Sequence, residues 1–308
     1  MTATPAVSVV MSVYNGARRL RPSVESVLAQ EGVDLELIIV DDGSTDESPT
    51  MLERFAAADP RVSVIRQDNA GLTRALIRGC AAARGRYIAR QDVGDLFLPG
   101  KLALQTEWIA GNPQAAMISC GTRFVGPAGE ILFEMTDDGG DATKRLRSLD
   151  AAEVRGPFGH GSVLFRRDLY ERAGGYRAEF YFGQDLDLWI RLAELGEHRV
   201  LPQLLFEAMF APDSISGRRR AEQVEATTII LECARLRREG RSEAAALARA
   251  AAIRPHGRRV RARDLAGAHY FVGACLRRRG DPRAERYFRM ALKAYPLHVR
   301  SALRMLLG

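Results

Sequence analysis

Long apolar runs are missing from this 308-residue chain. The longest candidate, "VLPQLLFEAMF" at 200–210, falls well short of the roughly 20 residues that a bilayer-crossing helix needs, and it carries Glu207. The start, "MTATPAVSVVMSVYNG", has no basic leader and runs directly into a strand pattern. No signal peptide is therefore expected, and the chain reads as cytoplasmic, or peripheral at the inner face of a membrane. Cysteine is sparse: Cys80, Cys120, Cys233 and Cys275 lie about 40 or more residues apart with no CxxC pair, the pattern of buried thiols in a reducing compartment. The five histidines are equally scattered, which leaves zinc chemistry without support. No GxGxxG follows the first two strand-like runs, so a dinucleotide-binding reading fails.

What is present is a globular composition, 46% hydrophobic and 27% charged, in a chain long enough to bury a substantial core. Its charge is unevenly placed. Residues 218–308 hold 22 Lys+Arg against 8 Asp+Glu, a net +14, and the totals of 45 and 38 leave 23 against 30, or −7, for residues 1–217. An acidic body with a basic tail region suggests two units, 1–217 and 218–308, the second suited to an anionic membrane surface or an acidic protein partner. No nucleic-acid partner is expected.

The first half alternates β-branched runs, at 7–13, 35–40, 62–67 and 86–91, with helix-like segments at 18–30, 46–58 and 71–83. That alternation predicts an α/β fold around a mainly parallel sheet. Right-handed crossovers then gather the loops "YNGAR", "DDGSTDES" and "QDVGD" along the carboxyl edge, where ligands of such sheets bind. Shorter strand-like pieces follow from 115 to 165, then a helix at 184–196. Beyond "SISGRRR" the pattern is purely helical, and the unit 268–296 resembles a tetratricopeptide helix pair, although a plain helical hairpin has the same pattern.

Two carboxylates, Asp41 and Asp42, stand where a strand meets its loop, and a carboxylate there can accept from a nucleobase N–H or ribose hydroxyls. Ser44, Thr45 or Asp46 can cap the next helix. The run "VSVVMSVYNGARRLRPSVESVLAQ" with "LELIIVDDGSTDES", "NAGLTRALIRGCAAARGRYIARQDVGDLFLPGKL", "HGSVLFRRDLYERAGGY" and "GQDLDLWIRLAELG" resembles a family 2 glycosyltransferase with the GT-A fold, over about residues 7–216. The resemblance implies an inverting transfer of a sugar from a nucleotide-diphosphate donor to a hydroxyl of a glycan or lipid-linked acceptor, in cell-surface or extracellular polysaccharide biosynthesis. By motif position it implies that Ser12, Tyr14 and Asp42 line the base pocket, that Arg74 lies near the nucleotide, that Asp92 contacts the ribose or a metal shell, and that Asp185 is the general base. In-line displacement at an anomeric carbon needs one base opposite the leaving diphosphate, in keeping with a single such carboxylate. At a helix start the dipole favours the ionised form of Asp185 and lowers its basicity unless burial opposes it.

Three departures from the family pattern stand out. Gln184 replaces the acid that usually precedes the base, Met209 and Ala211 occupy a stretch that commonly carries Arg and His, and Gly94 replaces the second acid of an Asp-x-Asp metal motif. A divalent cation, Mn or Mg, would then depend on Asp92 and Asp95 in a shifted loop. Otherwise Arg or Lys neutralises the leaving group, or activity is lost and the chain is a transferase-like binding scaffold. Asp95, four before Pro99, can also be read as the cap of a following helix.

Overall fold

The computed structural model describes residues 4–137, 139–210, 220–254 and 262–306. Residues 214–219 of the stretch "SISGRRR" and Ala211 lie outside them. Among the described residues nine strands form one sheet, and the chain enters it by a β-α-β-α-β-α-β run. That run comprises β1 (Val7–Val13), α1 (Ala17–Leu28), β2 (Leu35–Asp42), α2 (Ser48–Ala58), β3 (Val62–Gln67), α3 (Leu72–Ala82) and β4 (Tyr87–Asp92). Val7, Val9, Val10, Leu37, Ile38 and Ile39 are all at most 1% exposed, as expected of continuous apolar strands covered on both faces.

These four strands are parallel, in the order β3-β2-β1-β4. The predicted parallel sheet holds that far. Beyond β4 the pairing turns mixed: β8 (Leu164–Arg166) lies antiparallel to both β4 and β6 (Ala115–Val125), while β6 runs parallel to β9 (Glu197–Met209). β5 (Leu96–Phe97) pairs antiparallel with β9, and β7 (Ile131–Met135) with β6. The stretch too short to cross a membrane is thus the end of a 13-residue strand, with Phe206 fully buried. Among the described residues no helix is long and apolar enough to cross a membrane.

Four helices join this sheet from its second half: α4 (Lys101–Gly111), α5 (Ala142–Arg147), α6 (Arg167–Arg172) and α7 (Gln184–Leu195). The carboxyl-terminal helices are α8 (Arg220–Arg238), α9 (Ala244–Ala252), α10 (Ala262–Arg278), α11 (Ala284–Ala294) and α12 (Val299–Leu306). α8 and α9 do not stand apart from the body. Ile229, Ile230, Cys233, Ala246 and Ala250 are buried in the same apolar cluster as Leu188 and Trp189 of α7. α10 and α11 form the helical hairpin expected near 268–296, with Val272, Leu276, Tyr287 and Phe288 packed on Leu132 of β7. Gly273 permits this closeness, since a Cβ there would stand 2.7 Å from the Phe288 ring.

Candidate active site

β1 sits between β2 and β4, so the helices on either side leave the sheet in opposite directions, and a crevice opens at the carboxyl ends of β1 and β4. Ser12 at the end of β1 is in register with Asp92 at the end of β4. The next residues are held by the neighbouring loop. Asn15 takes a positive φ of 51°, and its Oδ1 accepts from the backbone N–H groups of Thr45 at 2.8 Å and Asp46 at 3.3 Å. In return Asp46 accepts from the N–H groups of Ala17 and Ser48. Asp46 therefore does bond the first turn of α2, whereas Ser44 and Thr45 bond Asn15 instead of capping the helix. Tyr14 is left 54% exposed at the lip of the crevice.

Asp42 is only 2% exposed. Its carboxylate accepts from Gln67 Nε2 at 2.6 Å and from the N–H groups of Ala70 and Gly71 at 2.8 and 2.9 Å. A carboxylate has about four lone-pair positions, so these bonds leave about one for a ligand. Asp41 is equally buried and accepts from Ser44 N–H at 3.0 Å. Arg74, exposed on the first turn of α3, lines a shallow pocket with Gln67, Asp68 and Ala70, on the loop that Asp42 holds.

On the other side of β1, alternation along β4 puts Arg90 and Asp92 on one face. Arg90, 3% exposed, forms an ion pair with Asp92, and its Nε has no partner among the described residues. Asp185 lies in the first turn of α7, where Oδ1 accepts from Leu186 N–H at 2.9 Å and the side chain stays 30% exposed. Burial pushes its pKa up, against the Leu186 N–H and Arg90, which lower it, while Asp92 raises it further. Burial thus outweighs the helix start and leaves a stronger base than an ordinary aspartate. His160 Nδ1 stands 3.9 Å from Asp185 Oδ2, too far for a hydrogen bond. Its Nε2 lies 2.7 Å from the Tyr176 hydroxyl. Burial, followed by Arg90, holds His160 well below its ordinary pKa, so it faces Asp185 as a neutral ring.

Gly94 has a φ of +101°, a left-handed conformation that favours glycine. Asp95 accepts from Met209 N–H at 2.8 Å on β9. It does not cap α4, whose N-terminal residue Gly100 has no capping side chain, because β9 has claimed the carboxylate. Burial first, and then Asp92, raises the Asp95 pKa. Two of the family departures also meet here, since a Cβ at Gly94 would stand 3.7 Å from Met209 Sδ. A divalent cation is poorly served by this donor set. Asp92 is tied to Arg90, Asp95 to Met209 N–H, Gly94 offers no side chain, and a thioether suits soft metals. Among the described residues no group of three His, Cys, Asp or Glu could hold a metal ion.

The family profile described as glycosyl transferase family 2 matches residues 8–172. The chain belongs to this family. A putative glycosyltransferase of Bacillus subtilis, EpsE, is 29% identical over 246 residues, covering 77% of this chain and 85% of its own. The amylovoran biosynthesis glycosyltransferase AmsE of Erwinia amylovora is 30% identical over 222 residues, covering 69% and 79%. Among solved structures, the mannosyltransferase PcManGT of Pyrobaculum calidifontis, in complex with GDP-Man and Mn2+, superposes with a TM-score of 0.57 at 19% identity, covering 99% of this chain and 81% of that one. TarS 1-349 of S. aureus in complex with UDP gives 0.58 at 15%, covering 94% and 81%. The GT-A fold is thereby shared. In this family 2 glycosyltransferase the sequence drew attention to the carboxylates, and Arg90, His160 and Tyr176 escaped it. The last two open and close the quoted "HGSVLFRRDLYERAGGY", so their motif was visible although their contact was not.

Proposed function

We propose that the protein is an inverting glycosyltransferase that moves a sugar from a nucleotide-diphosphate donor to an acceptor hydroxyl in cell-surface or extracellular polysaccharide biosynthesis. The observation that carries this reading is that Asp92, paired with Arg90, ends β4 beside Ser12 of β1, while Asp185 faces His160 on the turn whose Gly161 packs against the Arg90 carbonyl. In this reading Ser12, Tyr14 and Asp42 receive the base, Arg74 flanks the nucleotide, and Asp92 meets the ribose. Asp185 takes the acceptor proton. PcManGT with GDP-Man and TarS with UDP support a nucleotide-bearing donor on this fold. A thermal-shift panel of nucleoside diphosphates, with and without Mn2+, tests it. One base should raise the unfolding temperature by several degrees at a hundredfold excess over Kd, equivalent to about 2.7 kcal/mol. A panel with no shift at all would sink the reading.

A scaffold reading is favoured by Gly94 and Met209 alone. It predicts that donor binding survives every substitution at Asp185 with no turnover to lose.

A surface on the carboxyl-terminal helices suits a membrane-borne acceptor. Tyr270, Phe271, Arg278, Arg300 and Arg304 line a groove between α10 and α12, and Leu297, Val299 and Leu303 are exposed beside it. Cationic side chains beside exposed apolar ones suit an anionic membrane face. Sedimentation with phosphatidylcholine vesicles, with and without phosphatidylglycerol, should show binding only to the anionic ones. Replacing Arg278, Arg300 and Arg304 with Gln should weaken it on the order of a hundredfold, at about 1 kcal/mol per charge. Unchanged partitioning would move the contact elsewhere.

A further inference from the structure

The place where the family pattern puts an acid is shared by an arginine. A Cβ at Gly94 would stand 3.4 Å from Arg19 Cδ, closer than it would come to Met209. Arg19 is held there by its own helix: Gly94 N–H donates to Ser23 Oγ at 2.8 Å, and Ser23 Oγ donates to the Arg19 carbonyl at 3.2 Å. That two-bond tie fixes the first turns of α1 against the loop after β4. Arg19 makes no ion pair and no side-chain hydrogen bond among the described residues, while Arg90 is already committed to Asp92. The donor set is short of cation ligands and long on one uncommitted guanidinium.

We propose that Arg19 takes the place of a divalent cation by binding the diphosphate of the leaving nucleotide. This rests on the glycosyltransferase reading. In the step it serves, the acceptor oxygen attacks the anomeric carbon and its proton passes to Asp185. The bond from the anomeric carbon to the diphosphate oxygen breaks, and its electron pair stays on that oxygen. The planar guanidinium presents two parallel N–H donors to the phosphate oxygens and meets the charge as it develops. Glycine at 94 is then required in two ways: a carboxylate there would pair with Arg19, and the backbone at φ +101° disfavours any other residue.

The test uses the full chain and whichever nucleoside diphosphate and nucleotide sugar stabilise it. Turnover in excess EDTA should stay within about twofold of that with Mn2+. Arg19→Met should lower kcat by roughly 10²- to 10³-fold, the range seen when one such donor is removed. It should weaken nucleoside diphosphate binding about tenfold or more and leave binding of the nucleoside without phosphates unchanged. Arg19→Lys should recover part of both losses, because it keeps the charge and loses the fork. Turnover abolished by EDTA and restored by Mn2+ would overturn the proposal, as would an Arg19→Met protein that binds the diphosphate like the parent. Failure of the parent protein to bind any nucleoside diphosphate would instead bring down the glycosyltransferase reading itself.

Discussion

Asp185→Asn is expected to lower turnover by about 10²- to 10⁴-fold, the usual contribution of a positioned general base, while donor affinity stays within about twofold. Asparagine keeps the size of the side chain and can still accept from Leu186 N–H, so α7 should begin as before. What it loses is the ability to take a proton. The parent enzyme should also show where that proton goes. The base must be ionised to act, and burial raises the Asp185 pKa from its ordinary 3.8, so kcat/KM should fall as the pH drops through a midpoint above that value. Isothermal titration with the nucleoside diphosphate and a pH profile of acceptor turnover together check this. An Asp185→Asn protein as active as the parent would assign the base elsewhere.

The second large effect concerns stability. Asp187, one turn into α7 and 2% exposed, holds the equally buried Arg191, and its other oxygen lies 3.6 Å from Arg177. Arg177 bonds Glu243 at the start of α9, Glu243 bonds Arg237 of α8, and Arg237 returns to Glu194 of α7. Asp187→Ala strands Arg191, which keeps only the Ala173 carbonyl, while Arg177 retains Glu243. Breaking one buried pair from a single side costs about 3–5 kcal/mol, which corresponds to roughly 10 °C of unfolding temperature for a chain of this class. Scanning calorimetry measures it. Asp187→Leu with Arg191→Met removes both partners and should regain most of the loss, since apolar replacement of a buried pair is often neutral. If the double variant melts as low as Asp187→Ala, the cost lies in packing at this turn and the ion pair is incidental.

The sheet was legible in its parallel half, where β1, β2 and β4 are buried on both faces and β3, at the edge, is partly exposed. β1, β2, β3 and β4 are continuous β-branched runs separated by helical segments, and local pattern suffices for that. β9 was harder to read because Pro202 and Glu207 interrupt its apolar run, and its partners, β6 and β5, are set by long-range pairing. The carboxylates of the candidate site stood out for a related reason: Asp42 and Asp92 end strands, and Asp185 comes two residues after the glycine that ends a loop. Arg90 was hidden because an arginine inside a strand has no local signature of burial. Only the arrival of α7 and of the turn bearing His160, both from far along the chain, makes it the centre of the crevice. The Asp95 cap was misread because its rival partner, Met209 N–H, is 114 residues away.

The stitching of the β1–α1 loop to the β2–α2 loop through Asn15 and Asp46 has a kinetic side. Loops already tied to each other lose little freedom when a ligand enters, so the entropy that a floppy lip would forfeit on capture is settled during folding. If the proposed donor site is right, nucleotide capture at this lip is accordingly a matter of encounter with a ready-made notch, and differences in residence time between nucleotides fall to the contacts made inside it.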